Sequence, residues 1–475
     1  MDDPSQPNKS NSENQNLNNN KHTREETSDE KKLKKKTMRV SITEGSFGVF
    51  SNSLSENYII PFALSIGSTP FQVGILYSCG GLLSPLGQII ASRKIEKKSR
   101  KSILLQGIVG QACIWPLFLL IAVLFMHNLL LNFLSWILIG LYLVYMLSSG
   151  IMAPPWFSVM GDVVPEDYRG RYFAKRNLIT TGIALFGTLL FSFALDWYKD
   201  QQQLMIGFIL IFLIGLITRV ISAILFTKHY YPAFHFQPSD QITLTRFFHE
   251  LPKENFGKFT LFVAFITFGQ WIAAPFFSVY MLQELNFNYS IFIFVNLFAS
   301  IVALFFFPVL GKLSDRFGNV QLLRIGAIII PILPLMWLFV LTPFDILLGP
   351  QFLGGIGWTA FNLAASNFIY DNIPSERRGE CLALYNLLLG CGIVLGGLTG
   401  SIIITFVPIT FMNKFHFLFL ISGIVRIISV IIFLPKIKEV RITDTKPIFN
   451  IKNTNIYRWI YDLTVREPRK RRRLK

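Results

Sequence analysis

Glu56 stands inside an apolar run, in the stretch SNSLSENYIIPF from Ser51 to Phe62, with Asn52 and Asn57 close by. A carboxylate placed among Phe, Leu, Ile and Val at membrane depth is unfavourable by several kcal/mol, and such groups face a cavity, a partner or an ion path. Its proton affinity depends on how far water reaches it, which suits a proton carrier. Asn52 and Glu56 are four residues apart and share a helix face, and a carboxylate beside amide oxygens suits Na⁺ as well as H⁺. The alternative is a neutral Glu hydrogen-bonded to a neighbouring helix. A second stretch, QWIAAPF from Gln270, repeats the pattern: Glu56 lies five residues before Pro61, and Gln270 five before Pro275. Each proline frees a carbonyl one turn back and bends its helix.

The elements that must hold these residues are long and apolar. The chain of 475 residues is 52% hydrophobic and only 15% charged, against about a quarter charged in soluble domains. Twelve segments are long enough to cross ~30 Å of hydrocarbon as helices. They fall near 44–67, 71–92, 102–126, 131–158, 172–195, 203–227, 257–282, 289–312, 320–341, 346–370, 380–407 and 414–435. Loops after even-numbered spans and their flanks carry 19 Lys/Arg, whereas loops after odd-numbered spans carry two, Lys199 and Lys414. That bias predicts cytoplasmic even-numbered loops and, with an even span count, two cytoplasmic termini.

The halves repeat each other. DVVPEDYRGRYFAKRN from Asp162 and DNIPSERRGECLALYN from Asp371 share six residues at one offset, 371 − 162 = 209. The shared pairs include Asp162/Asp371, Pro165/Pro374, Arg169/Arg378 and Gly170/Gly379. Spans 6 and 12 end alike, as RVISAILF from Arg219 and RIISVIIF from Arg426. The expected organisation is a disordered cytoplasmic tail (1–40), a six-helix bundle (41–227), a cytoplasmic linker (228–256), a second six-helix bundle (257–435) and a basic cytoplasmic tail (436–475).

The formal net charge of +17 does not point to nucleic acid, because 436–475 alone holds 13 Lys/Arg against 4 Asp/Glu. That tail pairs Ile456, Tyr457, Trp459, Ile460 and Leu463 with a polybasic end, a composition suited to anionic lipid. Cys79, Cys113, Cys381 and Cys391 all lie in apolar runs without metal-ligand spacing. No phosphate-binding glycine loop and no HExxH occurs. The chain is expected to be no enzyme and to need no cofactor or metal.

The stretch GKLSDRFGNVQLL resembles the loop signature G-x-x-x-D-R-x-G of the major facilitator superfamily of secondary transporters, through Gly311, Asp315, Arg316 and Gly318. The six-plus-six pattern and the two D-x-x-P-x-x-x-R-G segments are also similar to that family over about 40–440. The first half departs from the signature, with Ala91 at the Asp position. The resemblance implies an all-α membrane protein of twelve transmembrane helices, in two six-helix bundles related by pseudo-two-fold symmetry. It also implies that Gly311, Asp315, Arg316 and Gly318 latch one conformation, and that spans 1, 4, 7 and 10 line a central cavity.

On that footing Glu56 is the coupling candidate. Asn52, Asn57, Gln270, Trp271, Asn296 and Asn362 are candidates for the cavity, with interhelical hydrogen bonding and packing as the alternative. Arg219 and Arg426 are expected on outer helices, snorkelling to the interface or bridging a carboxylate. No Lys or Arg lies in the middle of spans 1, 4, 7 or 10, so the expected solute is neutral or cationic. The expectation is a plasma-membrane transporter of a small organic solute, working by alternating access on a H⁺ (or Na⁺) gradient. A lipid scramblase or a non-transporting sensor on the same scaffold is the alternative.

Overall fold

The computed structural model describes residues 28–95, 98–165, 169–232, 254–373 and 378–440. These form twelve long helices: α1 Ser28–Ser65, α2 Pro70–Ile95, α3 Arg100–Met126, α4 Leu131–Val163, α5 Arg169–Asp200, α6 Leu204–Thr227, α7 Asn255–Val279, α8 Tyr289–Phe317, α9 Asn319–Met336, α10 Phe352–Asn372, α11 Arg378–Phe406 and α12 Lys414–Phe433. Among the described residues, ten helices are long and apolar enough to cross a membrane. The two that fall short are α1 and α10, which carry Ser51 to Asn57 and Asn362, Ser366 and Asn367. Their polar residues lower the hydropathy of rods that are still long enough to span.

Helix α1 begins well before the expected first span. Residues 28–40, expected to be disordered, are helical, with Asp29 and Glu30 placed favourably in the first turn. Residues 441–475, on which the anionic-lipid expectation falls, lie outside the described residues, as do 233–253 of the linker. Below, the end where α1 starts is the tail side, and the opposite end is the far side.

In the first half α1 packs on α5 and α6, while α2 and α3 pack on α4. In the second, α7 packs on α11 and α12, and α10 on α8 and α9. The halves meet along two seams, α2 with α11 and α5 with α8. Small residues set the first seam. A Cβ on Gly397 would overlap Ser78, and one on Gly74 would overlap Ser401.

Among the described residues, the apolar core is shared on one side only. On the far side Phe62, Phe208 and Phe212 of the first half join Phe276, Tyr289 and Phe292 of the second in one cluster. On the tail side each half has its own, built on Met160, Val164 and Tyr172 in one and on Phe259, Phe361 and Phe368 in the other. The two bundles are therefore sealed together at the far side and part toward the tails. A polar contact reinforces the seal. Asp196 near the end of α5 accepts the backbone N–H groups of Tyr289 (2.7 Å) and Ser290 (2.8 Å) in the first turn of α8.

The repeated loop motifs work inside each half. Asp162 accepts from Arg100 Nη1 at 2.6 Å, tying the end of α4 to the start of α3. Asp371 accepts from Asn319 Nδ2 at 2.6 Å, tying the end of α10 to the start of α9. Asn319 Oδ1 in turn accepts from Ser314 and Asn367. Pro165 follows α4; Pro374 lies outside the described residues. Arg169 with Gly170 opens α5, and Arg378 with Gly379 opens α11. Gly311, Asp315 and Arg316 occupy the last turns of α8. Gly318 ends that helix at φ +91°, a conformation that favours glycine, and α9 starts at the next residue.

Candidate functional site

Glu56 sits at mid-depth on α1, one turn before Pro61. It is exposed to solvent-sized access, yet it acts electrostatically on Tyr77 of α2 and on Tyr142 and Tyr145 of α4. A carboxylate that is open yet flanked by tyrosines of two other helices lies on the side of α1 toward α2 and α4, beside the recess those rings border. It has no hydrogen-bond or ion-pair partner among the described residues. The recess continues into the second half through Tyr77, whose ring lies 5.1 Å from that of Trp271 on α7.

Tyr77 also walls a cavity of about 230 Å³ between α7, α8, α9 and α10. Gln270, Asn296, Gln351 and Arg426 supply its polar wall; Phe277, Trp337 and Trp358 supply aromatic faces. Two π-helical turns border it, Tyr280–Glu284 through Met281 and Leu347–Gln351 through Pro350 and Gln351. Such turns recur at functional sites because the widened helix leaves carbonyls and side chains free to point inward.

The cavity candidates divide as follows. Gln270 and Asn296 line the cavity, and Asn296 Nδ2 donates to the Phe292 carbonyl at 3.0 Å. Trp271 packs on Tyr77 beside it. Asn362 is exposed on α10, four residues beyond the cavity-lining Trp358, and Ser366 continues that spacing toward the tail side. Asn57 is half-buried, its amide donating to the Ser53 carbonyl at 2.8 Å. Asn52, one turn before Glu56 on the same face of α1, is held between α4 and α6. Its side-chain oxygen accepts from Tyr145 Oη (2.8 Å) and from Arg219 Nη2.

Arg219 and Arg426 correct one branch of the sequence reading, snorkelling; the other, a nearby carboxylate, fits Arg219, which lies in the field of Glu44. Neither snorkels, since they are 1% and 2% exposed. Arg219 turns inward to α1, reaching the Gly48 carbonyl as well as Asn52. Arg426 donates to the Ile330 carbonyl at 3.0 Å and the Gln270 carbonyl at 3.5 Å, and it lines the cavity. The expectation of a neutral or cationic solute rested on the lack of a mid-membrane arginine on spans 1, 4, 7 and 10. Span 12 supplies one from outside that set.

Sequence reasoning also missed a buried charged cluster at the tail-side end of the first half. Glu44 of α1 is 3% exposed. It accepts from Ser222 Oγ of α6 at 2.9 Å and lies 3.9 Å from Arg176 of α5. Arg176 donates to the Ser41 carbonyl and stacks over Trp156, 4.6 Å from the ring centroid. The available signal was the repeat of Arg219 and Ser222 as Arg426 and Ser429, which marked one helix face in both halves.

Twelve helices in two repeated bundles, parted on one side around a polar recess at mid-depth, define a multi-pass membrane transporter. A model of the Major Facilitator Superfamily matches residues 45–253 and 259–460, and the chain belongs to that family. It is 23% identical over 419 residues to an uncharacterized MFS-type transporter of Methanocaldococcus jannaschii, covering 84% of this chain and 98% of that one. Among solved structures, the fold is similar to a mutant of the nucleoside transporter NupG (TM-score 0.65, 13% identity, 84% of this chain and 100% of that). It is also similar to a bacterial homolog of the human lysosomal transporter Spinster in an inward-facing, unoccupied conformation (TM-score 0.62, 12% identity, 87% and 99%).

Proposed function

We propose that this chain moves a small organic solute across a cell membrane by alternating access, with Glu56 carrying the coupled proton. Both termini are cytoplasmic by the Lys/Arg bias, so the side on which the bundles part is the cytoplasm. The observation that carries the reading is Glu56 itself: an ionisable group at mid-depth, open to the recess and unpaired among the described residues. A group in that position gains or loses a proton according to which side admits water, and that dependence couples ion and solute. Its repeat partner is the neutral Gln270, so the pseudo-symmetric pair holds one ionisable member.

A lipid path is not favoured. It would need a polar, laterally open groove at α2–α11 or α5–α8. The first seam is closed by glycine–serine contacts, and the second is capped by Asp196.

The test is a reconstituted vesicle holding a pH dye, with solutes screened against wild type and Glu56→Gln. Solute-driven proton movement is expected in the wild type and not in Glu56→Gln, while solute exchange without a gradient persists. Proton movement unchanged in Glu56→Gln rejects the carrier assignment. Movement that follows Na⁺ instead of H⁺ reassigns the ion and keeps the residue.

A further inference from the structure

We infer that the solute carries an anionic group, of the carboxylate class, and that Arg426 is its counter-ion in the cavity of the second half. This rests on the transport reading above.

Arg426 has no anionic partner among the described residues. Its contacts are two carbonyls, and its Nε has no acceptor. Among the described residues, no Asp or Glu lines the cavity it walls. A cation taken out of water needs an opposite charge, and a buried one left alone is unfavourable by several kcal/mol.

The other half of the repeat shows what a structural arginine at this position looks like. Arg219, at the equivalent place on α6, has an amide oxygen, a carbonyl and the nearby charge of Glu44. The proline register between α1 and α7 is 275 − 61 = 214, so the counterpart of Glu44 is 44 + 214 = 258, which is Lys258. The half that holds the cavity therefore lacks the acid that balances its twin. The remaining walls suit the body of such a solute. Trp337, Trp358 and Phe277 offer apolar faces, and Gln270, Asn296 and Gln351 offer amides. At about 230 Å³ the space is small beside the ~300–1,000 Å³ of ordinary ligand clefts, which limits the solute to metabolite size. Glu56 lies across Tyr77 from this site, so a proton taken up there balances the charge the solute brings.

The experiment measures thermal stabilisation of the purified full chain by benzoate, phenylacetate and hexanoate against benzamide, phenylacetamide and hexanamide, which match them in shape without charge. At least one carboxylate is expected to bind about 10–100-fold more tightly than its amide, the worth of a charge-assisted hydrogen bond. Arg426→Met is expected to erase that preference. Arg426→Lys, which keeps the charge but not the forked donors, is expected to weaken it and is the variant to use if Arg426→Met does not fold. Amides binding as tightly as carboxylates, no carboxylate binding at all, or a full preference retained without Arg426 overturns the inference. Vesicle flux separates this from failure of the transport reading. Carboxylate binding that depends on Arg426 with no flux in the wild type sinks transport and leaves the site standing. Flux of uncharged solutes unaffected by Arg426→Met sinks the site and leaves transport standing.

Discussion

At the residue scale, the buried charges of the first half set stability as well as geometry. Removing one member of a buried pair leaves the other uncompensated, typically by 3–5 kcal/mol. Glu44→Ala strands Arg176 and leaves Ser222 without its acceptor. It should lower the melting temperature of the purified protein by several degrees, about 3 kcal/mol in unfolding free energy. An unchanged melting temperature would show that the cluster is already solvated. His229, just past α6, gives a pH signature. It is 6% exposed, beside the rings of Phe226 and Tyr231, and its Nε2 has no partner among the described residues. Burial, assisted by the Arg176 charge, pushes the imidazole down to about 4. The unfolded chain then binds a proton at higher pH than the folded one, so stability is full above about 6.5 and is lost as pH falls toward 4. The loss at the lower limit is on the order of 3 kcal/mol, and His229→Gln should flatten a melting curve against pH over that window. Glu56 was legible in the sequence as a costly acid in an apolar run, though not whether a neighbouring helix would hydrogen-bond it. Arg426 was not, since arginine at the end of an outer span usually reaches for water, and only packing shows that this one turns inward.

At the element scale, α8 shows how one bundle completes another. Its own N-cap residue, Asn288, makes no side-chain cap bond. The cap comes instead from Asp196 on α5, across the seam, and a carboxylate also suits the positive end of the helix. An N-cap is worth about 0.5–2 kcal/mol, so Asp196→Ala should loosen the far-side seal by roughly 2–30-fold. Hydrogen exchange at the amides of Tyr289 and Ser290 is the measurement, and rates equal to wild type would remove the gate role. The sequence marks where α5 ends and α8 begins, because turn residues and charge frame them. It does not mark the pairing, which joins residues 93 positions apart. The start of α1 was missed for a different reason. Residues 28–40 hold five Lys and one Arg against one Asp and one Glu, a basic composition that suits a tail and an exposed helix equally well, and only continuity with the span decides between them.

At the scale of the whole molecule, the repeat and the helix count were legible because hydrocarbon thickness fixes span length and the duplicated loops fix the register. Which side is open was not, since both states of a rocking pair are built from the same sequence. The distribution of the core supplies the answer, with one joined cluster on the far side and separate clusters toward the tails. A rigid-body exchange of that asymmetry gives a direct prediction. In a background with the four native cysteines replaced, Ser366→Cys, exposed on the tail-side part of α10, should react readily with a membrane-impermeant maleimide applied from the tail side. Met281→Cys, 1% exposed between the cavity and the far-side seal, should react slowly from either side. Adding Asp196→Ala should raise the Met281→Cys rate from the far side and lower the Ser366→Cys rate from the tail side together, because one equilibrium governs both. A rise at Met281→Cys with no fall at Ser366→Cys would mean that the far side frays locally and that the halves do not rock as rigid units.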